Sequence, residues 1–223
     1  MSRAWKILFA FSGVLVLLGA LNSPALLPYP LFVLAYLCDW RLPLIKSPAV
    51  RLLLSTMLCT FMLECCAWLN EYVKNTAQPA LFHPQLIPDL LLSIGVYAAW
   101  WLTWWLALRF YRFTTRQVFF TTGLYGVLIE QQGKIFIAGL QTMPKGAVLW
   151  LFIFVVYGST MALAFFLVRD SFVASRDHWI KFPLAWIALF IFTFATSIIW
   201  GFGIGALHII LPKKLPLRTH PFW

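Results

Sequence analysis

A few residues in this chain can hold or pass a charge while apolar sequence surrounds them. Glu64 lies within the apolar run Leu52–Leu69, and Asp89 opens the run Leu86–Leu108. Thr56, Thr60, Glu64 and Glu71 fall on one face of a helix, and Asp89, Ser93 and Tyr97 make a matching stripe. A polar loop, Asn70–Gln85, joins the two runs, so antiparallel helices would carry Glu64 and Asp89 at comparable depth. Two carboxylates in one low-dielectric site cannot both stay charged without compensation. Such a pair binds a cation or passes a proton. The plainer expectation is that Asp89 caps its helix after Pro88 and that Glu71 is solvated.

A second group lies in Gln117–Gln141, where Glu130, Gln131, Gln132 and Lys134 interrupt apolar sequence among Gly123, Gly126, Gly133 and Gly139. Ionisable groups at membrane depth face protein or a water-filled cavity. The last apolar run carries Thr193, Ser197, Gly201 and His208 near one face. With His208 near the cytoplasmic end of that run, Glu130 and His208 would come within reach of each other. The plainer expectation is a wet interfacial histidine and a packing seam at Gly201, Gly203 and Gly205, since small residues let helices approach in lipid. Glu64, Asp89, Glu130, Gln131 and His208 are therefore the candidates for a substrate or ion pathway.

The elements that must position these residues follow from composition. The chain is 62% hydrophobic and 11% charged, with a mean hydropathy of +0.84. Soluble domains carry about 25% charged residues. A polytopic all-α transmembrane bundle forming one integral domain over residues 1–223 is the class that fits. The net charge of +10 sits in short loops between apolar runs, as membrane orientation requires. It implies contact with the lipid bilayer and its anionic lipid headgroups, and no nucleic-acid partner is expected. Cys38, Cys59, Cys65 and Cys66 lie in apolar segments with no CxxC or zinc spacing. They read as buried small hydrophobes, and no metal site is expected. Phosphate-loop, serine-elbow and HExxH motifs are absent, and nothing names a cofactor.

Apolar runs at Ile7–Leu21, Ala25–Cys38, Leu52–Leu69, Leu86–Leu108, Ala147–Val168 and Leu184–Leu211 suggest about six spans of roughly 20 residues each. The first run is read as an uncleaved helix. The second holds Pro28 and Pro30 after Pro24, so it tilts or fails to cross fully. Trp100, Trp101, Trp104 and Trp105 suggest an interfacial belt ahead of Arg109. Gln117–Gln141 is read as a re-entrant or interfacial hairpin, because its apolar halves are too short to span, and both termini are then cytoplasmic. The inside then gathers Arg3, Lys6, Arg41, Lys46, Arg51, Arg109, Arg112, Arg116, Lys145, Lys213, Lys214 and Arg218. Lys74, Arg169, Arg176 and Lys181 are left outside, and that bias fits the positive-inside rule in a bacterial-type inner membrane. If the segment crosses instead, the C-terminal tail lies outside.

Three functions compete on these grounds. A small transporter or channel-like protein is suggested by the buried acids and the broken segment. A hydrophobic accessory or assembly subunit, bound to other membrane subunits, is suggested by the scarcity of polar groups. An intramembrane enzyme acting on a lipid-like substrate would use Glu130, Glu64 or His208 as acid or base.

Overall fold

In hydrocarbon a backbone must satisfy its own hydrogen bonds, and a chain this apolar does so by coiling. The computed structural model describes residues 3–42, 45–76, 81–129, 133–172, 176–207 and 220–222, and every regular element among them is helical. The helices are α1 (Arg3–Ala20), α2 (Pro28–Leu37), α3 (Pro48–Lys74), α4 (Leu86–Phe110), α5 (Thr115–Ile129), α6 (Lys134–Gln141), α7 (Lys145–Phe166) and α8 (Lys181–Leu207). Five of them, α1, α3, α4, α7 and α8, are long and apolar enough to cross a membrane. This is the architecture of an integral membrane protein.

Prolines set the shape of the second run. Pro24 opens a single 3-10 turn over Pro24–Leu26, and Pro28 opens α2, positions where a missing N–H costs nothing. At 10 residues, α2 is about 15 Å long, half of a hydrocarbon core. It packs back on α1, with Ser12 Oγ 2.9 Å from Tyr29 Oη and the Phe9 ring 5.3 Å from that of Tyr36.

The loops sort to two ends. At the basal end, which holds the start of α1, Leu42 N–H donates to Leu167 O (2.9 Å) and Arg112 N–H to Arg176 O (2.8 Å). Arg41 pairs with Asp39 (2.9 Å) and with Asp170, and Arg169 pairs with Asp39. A hydrogen bond from Arg41, aided by the charges of Arg169 and Arg41, holds the Asp39 carboxyl below its usual range. Lys181, only 2% exposed, donates to Arg112 O (2.7 Å), Gln117 Oε1 (3.0 Å) and Asp177 Oδ1 (2.6 Å). That hydrogen bond likewise lowers the Asp177 carboxyl. The sequence expectation put Arg169–Lys181 across the membrane from Asp39–Arg51 and Arg109–Arg116. These contacts join all three stretches at one end, because side-chain pairs this short cannot straddle a bilayer.

At the distal end Ser23 Oγ donates to Asn70 Oδ1 (2.9 Å) and Trp68 Nε1 to Pro84 O (2.9 Å). The segment 115–141 begins at the basal end, where Gln117 meets Lys181. A Cβ on Gly158 would lie 2.7 Å from Phe119 O, and one on Gly123 would lie 2.7 Å from Phe154 O. That order makes α5 antiparallel to α7. In α6, Phe136 stacks on Trp150 at 5.2 Å, and Thr142–Pro144 turns the chain into α7 at the distal end.

Other expectations are corrected. Trp100 and Trp104 are in the core, 1% and 0% exposed, and only Trp101 and Trp105 remain partly exposed, stacked at 6.1 Å. Residues four apart share a helical face, so the four tryptophans split into an inner and an outer pair. Cys59 and Cys66 are buried, but Cys38 and Cys65 are exposed. No packing seam forms at Gly201, where a Cβ would meet nothing within 4 Å.

Gly126 and Gly133 each exclude a larger side chain for a different reason. A Cβ on Gly126 would lie 2.9 Å from Tyr157 Cγ, while Gly133 sits at φ +81°. Gly126→Val should cost about 1–3 kcal/mol through overpacking, and Gly133→Val about 1–3 kcal/mol through backbone strain. Gly201→Val should be nearly neutral. Melting temperatures of the three variants in mild detergent check this contrast.

Candidate functional site

Helices α3 and α4 lie antiparallel with a polar seam between them. Ser47 caps α3, accepting from Val50 N–H (3.4 Å), and Asn75 ends it in the left-handed conformation at φ 52°. Facing α4, Thr56 and Thr60 are completely buried, as are Ser93 and Thr103 on the partner helix. Thr60 and Ser93 turn their hydroxyls back on their own helices, to Thr56 O (2.8 Å) and Leu90 O (2.9 Å). Such bonds satisfy a hydroxyl inside an apolar bundle without needing a partner helix.

Glu64 and Asp89 both belong to this seam. Glu64 is half-buried and accepts a hydrogen bond from Tyr97 Oη. Asp89 is completely buried. The Tyr97 contact places Glu64 against α4, the helix that carries Asp89. Asp89 does not cap α4. Its Oδ1 accepts from the backbone N–H of His83 (2.9 Å), tying down the preceding loop. Its Oδ2 is buried with no hydrogen-bond partner, as are Thr56 Oγ1, Thr103 Oγ1 and Trp104 Nε1.

The loop residues His83 and Gln85 are 1% and 0% exposed. The backbone N–H of Gln85 donates to His83 Nδ1 (3.2 Å). An imidazole whose Nδ1 accepts carries its proton on Nε2 when neutral. The start of α4 is capped from far along the chain: Leu86 N–H donates to Pro221 O (3.1 Å), Ile87 N–H to Phe222 O (3.2 Å), and Gln85 Nε2 to His220 O (2.9 Å). Phe222 stacks on Trp68 at 5.9 Å, and Trp68 on Tyr72 at 5.1 Å. The tail thus closes over the distal end of the acidic seam.

From Glu64 a run of aromatic side chains leads inward. The Tyr97 ring meets Trp100 edge-on at 5.9 Å, and Trp100 meets Tyr125 at 6.4 Å and Tyr157 at 5.3 Å. Tyr125 Oη donates to Thr193 Oγ1 (3.0 Å) on α8. This arrangement can hold a proton on a carboxyl or phenol and can offer oxygen ligands to a small cation. Among the described residues, no three His, Cys, Asp or Glu side chains converge as a metal site.

Of the residues singled out by sequence, Glu64 meets Tyr97, while Asp89, Ser93, Thr56 and Thr60 are buried on the same two helices. Glu130, Gln131, Gln132 and His208 lie outside the described residues, and so does any Glu130–His208 contact. Sequence reasoning missed His83, Gln85 and the tail, which it read as polar loop and basic terminus. A histidine six residues before a helix-buried aspartate was the one local signal. Removing residues 220–223 should leave the first-turn amides of α4 uncapped, at a cost of about 1–2 kcal/mol. Hydrogen exchange at Leu86 and Ile87 is expected to accelerate while that of the α4 centre stays slow.

No protein-family model matches this chain, and no curated protein or solved structure matches it.

Proposed function

We propose that this protein is a small transporter-like membrane protein that moves a proton or small cation through the α3–α4 seam. The observation that carries the reading is a completely buried carboxylate, Asp89, with Oδ2 unpartnered, on the helix whose Tyr97 holds a second acid, Glu64. A buried carboxylate answered only by backbone N–H groups is expensive in such surroundings. It is relieved by binding a proton or a cation, and a group that takes one up can release it. Tyr97 holds Glu64 in place, and the Asp89–His83 contact positions the second acid at the closed distal end.

The threading consistent with this reading differs from a re-entrant hairpin. Helices α5 and α6 start basally, end distally and run antiparallel to α7. Together they serve as one broken crossing, the type of element that lines binding sites at membrane depth. The basal end carries Arg3, Lys6, Arg41, Lys46, Arg51, Arg109, Arg112, Arg116, Arg169, Arg176 and Lys181, so it faces the cytoplasm by the positive-inside rule. His220–Phe222 then lie on the opposite side. In a cysteine-free background, a cysteine at Lys145 should label from outside intact cells and one at Arg116 only after permeabilisation. Labelling of both from the same side would refute the broken crossing.

The functional test uses the purified chain in liposomes holding a pH-sensitive dye, under an imposed potassium diffusion potential. Flux of protons or sodium above empty vesicles is expected. Glu64→Gln and Asp89→Asn, which keep shape and lose charge, should each lower it at least about tenfold, a rise of roughly 1.4 kcal/mol in the barrier. Equal flux with and without protein would end the transport reading. The accessory-subunit reading would then gain ground from the large apolar faces of α1 and α8, both almost wholly exposed. Reproducible co-purification of other membrane chains in mild detergent would support it.

A further inference from the structure

We propose that the basal clefts at the start of α3 bind the phosphate of an anionic lipid headgroup, with Arg51 as the principal cation. Arg51 is 6% exposed. Its Nη1 donates to Ser171 Oγ (2.6 Å) and its Nη2 to Leu42 O (2.9 Å), while Nε is buried with no partner. Both partners are neutral, and no ion pair among the described residues includes Arg51. Arginine does not shed its proton, so a buried guanidinium without a counter-charge calls for an anion.

The surroundings fit that anion. A cleft of about 370 Å³ is lined by Lys46, Pro48, Arg51 and Ser171, and an adjoining one of about 390 Å³ by Ser47, Ala49, Trp105 and Arg109. Both open beside the N-terminus of the 27-residue α3, where the partial positive charge of the helix favours phosphate. Asp170 also borders the first cleft, but Arg41 holds its carboxylate. Leu108, Phe172 and Trp105 supply an apolar wall. Trp105 stacks on Trp101, whose indole N–H donates to Ala49 O (3.0 Å) at the start of α3. An apolar wall under a cationic rim suits a phosphodiester that continues into acyl chains. This inference is independent of the transport reading and stands or falls by itself.

Native mass spectrometry of the full chain, titrated with phosphatidylglycerol and with phosphatidylcholine of matched acyl chains, is the test. One phosphatidylglycerol should be retained with at least about tenfold preference. Lys46→Gln and Arg109→Gln should each weaken it about fivefold, as expected for one removed cation at a lipid surface, without changing the melting temperature. Arg51→Lys, which keeps the charge and loses the fork, should abolish the preference. Equal retention of both lipids, or unchanged affinity in Lys46→Gln and Arg109→Gln, would overturn the proposal. Displacement of the lipid by millimolar inorganic phosphate would assign the site to free phosphate and overturn the lipid assignment.

Discussion

Inside a bilayer water is scarce, so a buried polar group is satisfied chiefly by partners within the chain. The tryptophans show how this constraint builds the bundle. The indole N–H of Trp68 donates to Pro84 O, that of Trp101 to Ala49 O, that of Trp186 to Thr121 O and that of Trp200 to Leu92 O. Each bond reaches a backbone carbonyl of another element. A helical carbonyl already engaged along the axis keeps a second lone pair, so a neighbouring helix can dock without breaking the first bond. Ser55 does the same across α3 and α7, donating to Ala164 O (2.6 Å). Lys181 does it for three partners at once, joining the end of α4, the start of α5 and the approach to α8. Its ammonium also lies about 5 Å from the rings of Phe113 (5.0 Å) and Phe182 (5.2 Å), a contact that offsets part of its desolvation.

Packing follows a second consequence of the same solvent. Lipid tails are as apolar as leucine, so helices gain little by hiding leucine from them. Close approach and dispersion must do more. The α5–α7 contact shows this in the placement of Gly123, Gly126 and Gly158, each against a ring or backbone of the facing helix. Phe119 packs against Phe154 at 5.5 Å and against Phe32 of α2 at 6.0 Å, so the short second helix is anchored to the same pair. Helices α1 and α8, by contrast, present large side chains such as Phe11, Phe194 and Phe202 outward. These outward faces suit lipid, while Ala185 and Leu189 turn the other face of α8 into the core.

Much of this was legible in the sequence, though unevenly. Apolar runs gave the helical membrane class, and the spacing of Thr56, Thr60 and Glu64 against Asp89, Ser93 and Tyr97 located the polar seam. Both depend on local periodicity, which survives into the fold. The placement of Arg169–Lys181 was misread because a charge tally treats each loop alone and cannot see that Asp39 and Asp170 serve arginines far along the chain. The tryptophan cluster was misread as a belt although its four-residue spacing already implied an inner pair and an outer pair. The cap on α4 had no local signal, since Gln85 and His220 are 135 residues apart. In each case the missing information was which distant group answers a polar side chain.

The two ends of the bundle handle charge in opposite ways, and this difference orders their roles. At the basal end Asp39, Asp170 and Asp177 each meet a cation, and their carboxylates are mostly exposed. The hydrogen bonds and charges of the neighbouring arginines and Lys181 hold the Asp39 and Asp177 carboxyls below their usual range. These pairs fix the orientation of the chain and respond little to their surroundings. At the distal end the Tyr97 phenol donates to Glu64 and the backbone N–H of His83 donates to Asp89. Neutral donors stabilise a carboxylate less than a cation does. The chain thus answers Asp39, Asp170 and Asp177 with arginine and lysine at one end, and Glu64 and Asp89 with a phenol and a backbone amide at the other.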